Sequence, residues 1–95
     1  AYDVAQDALV RAYKDAPEER KLELLALLSE TAGKKDSAFF KSVATSDRPE
    51  AEKILAVRWM GARRDTDSRD LLKTLSESRG ALAEEAAKAL KLLEE

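Results

Sequence analysis

The chain has 95 residues, with 17 basic against 19 acidic side chains, a net charge of −2, and neither Cys nor His. That length supports one domain, and without Cys or His there are no disulfides, thiol nucleophiles, imidazole acid–base groups or usual zinc ligands. The charge balance speaks against a dedicated nucleic-acid or anionic-membrane binder, which would carry a basic patch. Apolar residues reach 44% and aromatics only 5%, so the core must be mostly Leu, Ala and Val. No Asn is present, which removes N-linked glycosylation. No apolar run approaches the ~20 residues needed to span a bilayer, and no signal-peptide pattern is visible. The chain starts at Ala1 rather than Met, so a processed chain or a fragment of a larger protein is expected. Lack of Cys fits any compartment; the cytoplasm is the first expectation, with periplasm and secretion left open.

The first predicted helix runs from about Asp3 to Lys14, with Ala5, Ala8, Leu9, Ala12 and Tyr13 at helical spacing. Asp15-Ala16-Pro17 ends it and opens the second, since Pro suits a first helical turn. Glu18 and Glu19 then sit at the positive end of the helix dipole. The second helix carries Leu22, Leu24, Leu25, Leu27 and Leu28 and stops near Gly33. Asp36 is placed to cap a short third helix holding Ala38, Phe39, Phe40, Val43 and Ala44.

Asp47 and Glu50 have capping-box spacing, with Pro49 inside the first turn of a fourth helix. From Pro49 to Ala62 that helix is apolar nearly all round through Ile54, Leu55, Ala56, Val57, Trp59, Met60 and Ala62, interrupted mid-segment only by Lys53 and Arg58. Such a helix must be covered on several sides. It is expected between neighbours from both halves of the chain, with Trp59 buried. It ends around Arg63 and Arg64, whose charges suit the negative end of the dipole. Asp65 or Asp67 caps a fifth helix with a narrow stripe of Leu71, Leu72 and Leu75, closed by Gly80. A sixth runs from about Leu82 to Leu93, with Ala86, Ala89, Leu90 and Leu93 on one face. Nothing alternates with period two, so no strand is predicted.

Short helices joined by tight turns call for a search for internal repeats. A shift of 32 residues lays Pro17-Glu18 on Pro49-Glu50, Lys21 on Lys53 and Lys41 on Lys73. It also lays Leu22 on Ile54, Leu25 on Val57, Leu28 on Met60, Phe39 on Leu71, Phe40 on Leu72 and Val43 on Leu75. A partial third copy, Ala86 to Lys91, matches Ala56 to Gly61 at a shift of 30.

On these residues the chain resembles the HEAT-repeat family, especially its short bacterial type. The resemblance rests on Pro49 to Leu75 (the Pro-Glu start, Ala56 through Gly61, the Asp65 turn, then Leu71-Leu72 and Leu75) and extends to Lys21–Val43 and Ala86–Leu90. It implies an all-α, right-handed solenoid of antiparallel helix pairs, about six helices in all. A flanking helix over 2–15 would precede a repeat over 17–46, a second over 47–80 and a terminal helix over 81–95. Lys21 and Lys53 stand where the family often has Arg, Ala83 replaces it in the last copy, and Trp59 fills a usually small position.

Chemical constellations are sparse. Asp65-Thr66-Asp67-Ser68-Arg69-Asp70 begins like a calcium loop, but Arg69, Asp70 and Ser76 occupy positions that need an oxygen ligand, Gly and Glu, so helix capping is the expected role. Glu84-Glu85 and Glu94-Glu95 read as solvated acids. Arg58, Arg63 and Arg64 could grip phosphate but have Asp65, Asp67 and Asp70 nearby to neutralise them. Tyr2 and Tyr13 read as packing residues.

The expectation is a non-enzymatic protein-interaction or scaffold module, monomeric, with a protein partner, no nucleic acid, no membrane, no metal and no cofactor. The alternative is a structural or accessory part of a HEAT-like lyase or DNA-repair enzyme whose active site lies outside this chain. A partner surface is expected where Lys41 and Thr45 on the third helix and Arg69, Lys73 and Glu77 on the fifth emerge opposite the apolar stripes.

Overall fold

A computed structural model describes residues 2–94, with side chains from Gln6 to Glu94. The expected core position Ala5, together with the side chains of Tyr2 and Glu95, lies outside the described residues. Helices α1 (Tyr2–Asp15), α2 (Glu18–Thr31), α3 (Ser37–Thr45), α4 (Glu50–Ala62), α5 (Arg69–Ser76) and α6 (Ala81–Glu94) follow in order, with 3-10 turns at Lys34–Asp36 and Thr66–Ser68 leading into α3 and α5. No strand occurs among the described residues. The interval of 32 residues recurs in these boundaries: it separates Glu18 from Glu50, Lys34 from Thr66 and Ser37 from Arg69. The chain divides into two compact units, Ala1–Ala32 and Gly33–Glu95.

In the first unit α1 packs on α2. Pro17, at φ −61 and ψ 153, breaks the helical path, and its carbonyl accepts the Arg20 N–H at 2.9 Å to start α2. Lys21 is buried, and its Nζ donates to the carbonyls of Tyr13 (2.7 Å) and Lys14 (2.8 Å) while lying 4.9 Å from the Tyr13 ring centroid. It thereby adds a second donor to the Tyr13 carbonyl, which also accepts the Ala16 N–H at 3.3 Å, and supplies one to the Lys14 carbonyl in the last turn of α1. The buried side of α1 is Gln6, half-buried Leu9 and Val10, and Tyr13; Ala8 and Ala12, expected on that face, are exposed. With α2 the only other helix of the unit, one stripe of α1 suffices for packing. On α2 the buried positions are Lys21, Leu25 and Leu28, while Leu22 (44%) and Leu27 (49%) are exposed. The helix stops at Ala32, which turns extended at ψ 138, and Gly33 is itself extended at φ −114. Backbone extension ends α2, not the left-handed glycine conformation expected at that position.

The second unit is built on α4, which packs against α3 on one side and α6 on another, with α5 against α6. Ala56, Val57, Trp59, Met60 and Gly61 of α4 are buried. Trp59 stacks on Phe40 with centroids 4.3 Å apart and planes at 13°, and Phe39 meets Phe40 edge-on at 5.3 Å. Gly61 faces Ala89 so closely that a Cβ placed on it would lie 2.8 Å from the Ala89 Cα and 2.9 Å from its Cβ.

Two expected turn devices are replaced. Pro49 is the N-cap of α4 at φ −54 and ψ 148, with no side-chain cap, so the Asp47–Glu50 capping box does not form. The Pro49 carbonyl instead accepts the N–H of Glu52 (3.0 Å) and of Lys53 (3.3 Å). Buried Glu52 receives a two-point grip from Arg48, Nε to Oε1 at 3.1 Å and Nη2 to Oε2 at 2.7 Å. Gly80 does not close α5, which already ends at Ser76. At φ 98 it opens α6, its carbonyl accepting the Glu84 N–H at 3.1 Å. On α6 the buried line is Ala83, Ala86, Ala89 and Leu93, with Leu90 half-buried.

Trp59 is 3% exposed, so Trp59→Ala is expected to lose about 3–5 kcal/mol of stability and the parent to emit blue-shifted from free tryptophan. Denaturant titration and the emission spectrum check both. Gly61→Ala gains about 1 kcal/mol of helix propensity but drives a methyl into the Ala89 backbone. Overpacking of about 1–3 kcal/mol or more wins, so its melting temperature should fall below the parent's.

Candidate functional site

The residues expected to meet a partner are placed by the buried faces of two short helices. Phe40, Val43 and Ala44 of α3 and Leu72 of α5 are buried, with Phe39, Leu71 and Leu75 half-buried, so the opposite faces turn outward. Lys41 is half-buried there, and Thr45, Arg69, Lys73 and Glu77 are exposed. The Thr45 hydroxyl donates to the Lys41 carbonyl at 2.9 Å, which brings these two together. Among the described residues none of the five bonds to a residue on the other helix. One repeat before Arg69 stands Ser37, which is buried, so α3 presents no counterpart of that arginine.

A second feature lies at the C-terminal end of α4, where Lys34, Trp59, Arg63, Arg64, Asp65 and Thr66 line a cleft of about 110 Å³. The end of α4 builds it. The Asp65 N–H reaches back to the Met60 carbonyl (2.9 Å) and the Arg64 N–H to the Gly61 carbonyl (3.1 Å), the two bonds of a Schellman motif. Arg64 therefore sits at the left-handed position, φ 49, where glycine is usual. Opposite, the Asp36 carboxylate accepts the Gly33 N–H at 3.0 Å and shapes the turn that begins with Lys34. Asp36 acts on that turn, since α3 has no side-chain cap.

Asp65 is buried, and its Oδ2 accepts hydroxyl hydrogen bonds from Ser37 and Ser68, both at 2.6 Å. Its Oδ1 is buried without a partner among the described residues. The carboxylate faces the protein rather than capping α5 through backbone N–H groups. Thr66–Ser68 forms a 3-10 turn and Arg69-Asp70 the first residues of α5. Among the described residues no group of three or more His, Cys, Asp or Glu side chains is placed to hold a metal ion.

The three arginines grouped in the sequence are parted. Arg58 donates to Glu85 Oε1 at 3.0 Å, with Lys88 4.0 Å from the same oxygen, beside a groove of about 190 Å³ that also includes Gly61, Ala62, Ala89 and Leu92. The hydrogen bond from Arg58 holds the Glu85 carboxyl below its usual range, against partial desolvation and with help from the charges of Arg58 and Lys88. Arg63 and Arg64 instead join Lys34, which carried no motif. The only sequence signal for Lys34 was its place one repeat before Thr66. Glu84 and Glu94 are exposed and Tyr13 is buried. No helix among the described residues is long and apolar enough to cross a membrane.

Holding Arg64 left-handed costs about 1–2 kcal/mol relative to glycine, while its Nε donates only a long 3.4 Å bond to the Leu92 carbonyl. Arg64→Gly is therefore expected to raise stability by about 1 kcal/mol, read as a higher denaturation midpoint at unchanged slope. The chain matches no family model, no curated protein and no solved structure.

Proposed function

We propose that the chain is a non-enzymatic protein-interaction or scaffold module, a right-handed α-solenoid of HEAT-like helix pairs within a larger protein. The observation that carries this reading is the 32-residue recurrence of whole elements: a helix opened by Pro17 or Pro49, then a 3-10 turn, then a short helix at Ser37 or Arg69. Stacked repeats of this kind present equivalent positions side by side as an extended surface. The partner-binding face in this reading is the outward side of α3 and α5, carried by Lys41, Thr45, Arg69, Lys73 and Glu77. Lys41 and Lys73 occupy the same place in successive repeats, and their ammonium groups suit an acidic protein segment. α6 then serves as the first helix of a further pair, and α1 as the second helix of a preceding one.

The test starts from a partner captured with the longer protein. Lys41→Glu combined with Lys73→Glu is expected to weaken that partner's binding at low salt, where exposed charges act most strongly, with the melting temperature nearly unchanged. Undiminished affinity of the double variant would remove this face from the proposal.

A further inference from the structure

We propose that a second copy of this chain docks the outer face of its α2 in the groove between α4 and α6. One copy supplies the groove and the next supplies the helix, so the contact is heterologous. It uses none of the five residues of the α3–α5 face. Gly61 and Ala89 draw α4 and α6 together, and Ala62 and Leu92 complete the apolar lining of the groove. Arg58 meets Glu85, Gly61 faces Ala89 and Arg64 reaches Leu92, so the two helices run in the same direction. Arg58 stands one turn before Ala62, and Lys88 one turn before Leu92. Both cations share the single carboxylate of Glu85: Arg58 bonds to it at 3.0 Å, while Lys88 stops at 4.0 Å, beyond hydrogen-bond reach. Two cations around one acid leave the lining with one positive charge in excess.

The chain itself carries the complement. On α2, Glu19, Leu22, Glu23, Ala26 and Leu27 follow the spacing i, i+3, i+4, i+7, i+8 and share one face. Among the described residues the exposed large hydrophobic side chains are Leu22, Leu27 and Leu92, two on this face and one in the groove. Glu19 and Glu23 are exposed and form no ion pair among the described residues. Glu23 stands one turn before Leu27, the same order of charge and apolar group as on α4 and α6. A copy of α2 laid parallel to them therefore sets Leu27 between Ala62 and Leu92 and the Glu23 carboxylate beside Arg58 and Lys88. Laid antiparallel, it would carry that carboxylate away from both cations. One leucine and one charge cluster make a small contact, below the size of a standard interface. Association is accordingly weak, and the monomer is the dilute state.

The test is sedimentation velocity and two-dimensional NMR of the chain over a concentration series from micromolar to millimolar. The expected result is a mass that rises with concentration, with shifts confined to residues 19–27, 58–62 and 85–92. Glu23→Lys and Lys88→Glu change exposed side chains, so both variants should stay folded, which circular dichroism checks. Each alone should weaken association about tenfold, because an attraction becomes a repulsion. An equimolar mixture of the two should restore it, since each carboxylate again faces an ammonium. Leu27→Gln should weaken association without rescue by either charge variant. A chain that stays monomeric throughout, even one whose groove takes up a foreign acidic segment, would overturn the assignment. So would shifts centred elsewhere, a Leu27→Gln variant that associates like the parent, or a mixture no tighter than its components. None of these outcomes bears on the result for Lys41 and Lys73, and the reverse also holds.

Discussion

The second unit depends on one buried carboxylate. Asp65 connects three elements: its backbone N–H closes the end of α4 on Met60, and its Oδ2 takes the hydroxyls of Ser37 at the start of α3 and Ser68 just before α5. Removing an ionised group from water costs several kcal/mol unless hydrogen bonds replace the lost hydration. Two short hydroxyl bonds supply part of that replacement, and the hydroxyls must be held where the carboxylate is. The N-terminal ends of α3 and α5 are thereby tied to the C-terminal end of α4. The same arrangement leaves Oδ1 without a partner among the described residues, a polar cost accepted inside the joint.

Around that joint, packing is set by extremes of side-chain size. On the α3 side, α4 offers Trp59, whose indole lies flat against Phe40. On the α6 side it offers Gly61, which lets Ala89 approach to a distance at which no Cβ would fit. A large residue thus spaces one neighbour while the smallest residue admits the other. Ala56 on α4 and Ala86 on α6 are both fully buried. Dispersion and burial do most of the holding here, because exposed pairs such as Arg58–Glu85 contribute little in water.

Polar residues do comparable work at the turns. Lys21 caps the end of α1, and Arg48 grips Glu52 before α4 is a full turn old. The two repeat copies use different devices at the same place: Lys21 is a buried cap, while Lys53, one repeat later, is only half-buried. Equivalent positions in a repeat share backbone geometry, but each side chain answers to its own neighbours. For the same reason Ser37 is buried where its counterpart Arg69 is exposed.

The helices, their order and the 32-residue period were legible in the sequence, because apolar spacing, Pro17, Pro49 and the small turns act locally through backbone geometry. Burial of Trp59 was legible too, since a helix apolar on all sides has nowhere to place its largest residue except inside. The exposure of Ala8, Ala12, Leu22 and Leu27 was not, because periodicity names a face without saying how many neighbours will cover it. Nor were the roles of Asp47, Gly80 and Asp65, whose residue types suit several turn devices and whose choice among them depends on what lies opposite. Lys34, Arg63 and Arg64 came together only in three dimensions. The sequence by itself determined where the backbone must be helical and where it must turn. Tertiary packing decided which charges are buried, which are paired and which converge, because those outcomes depend on contacts between residues far apart in the chain.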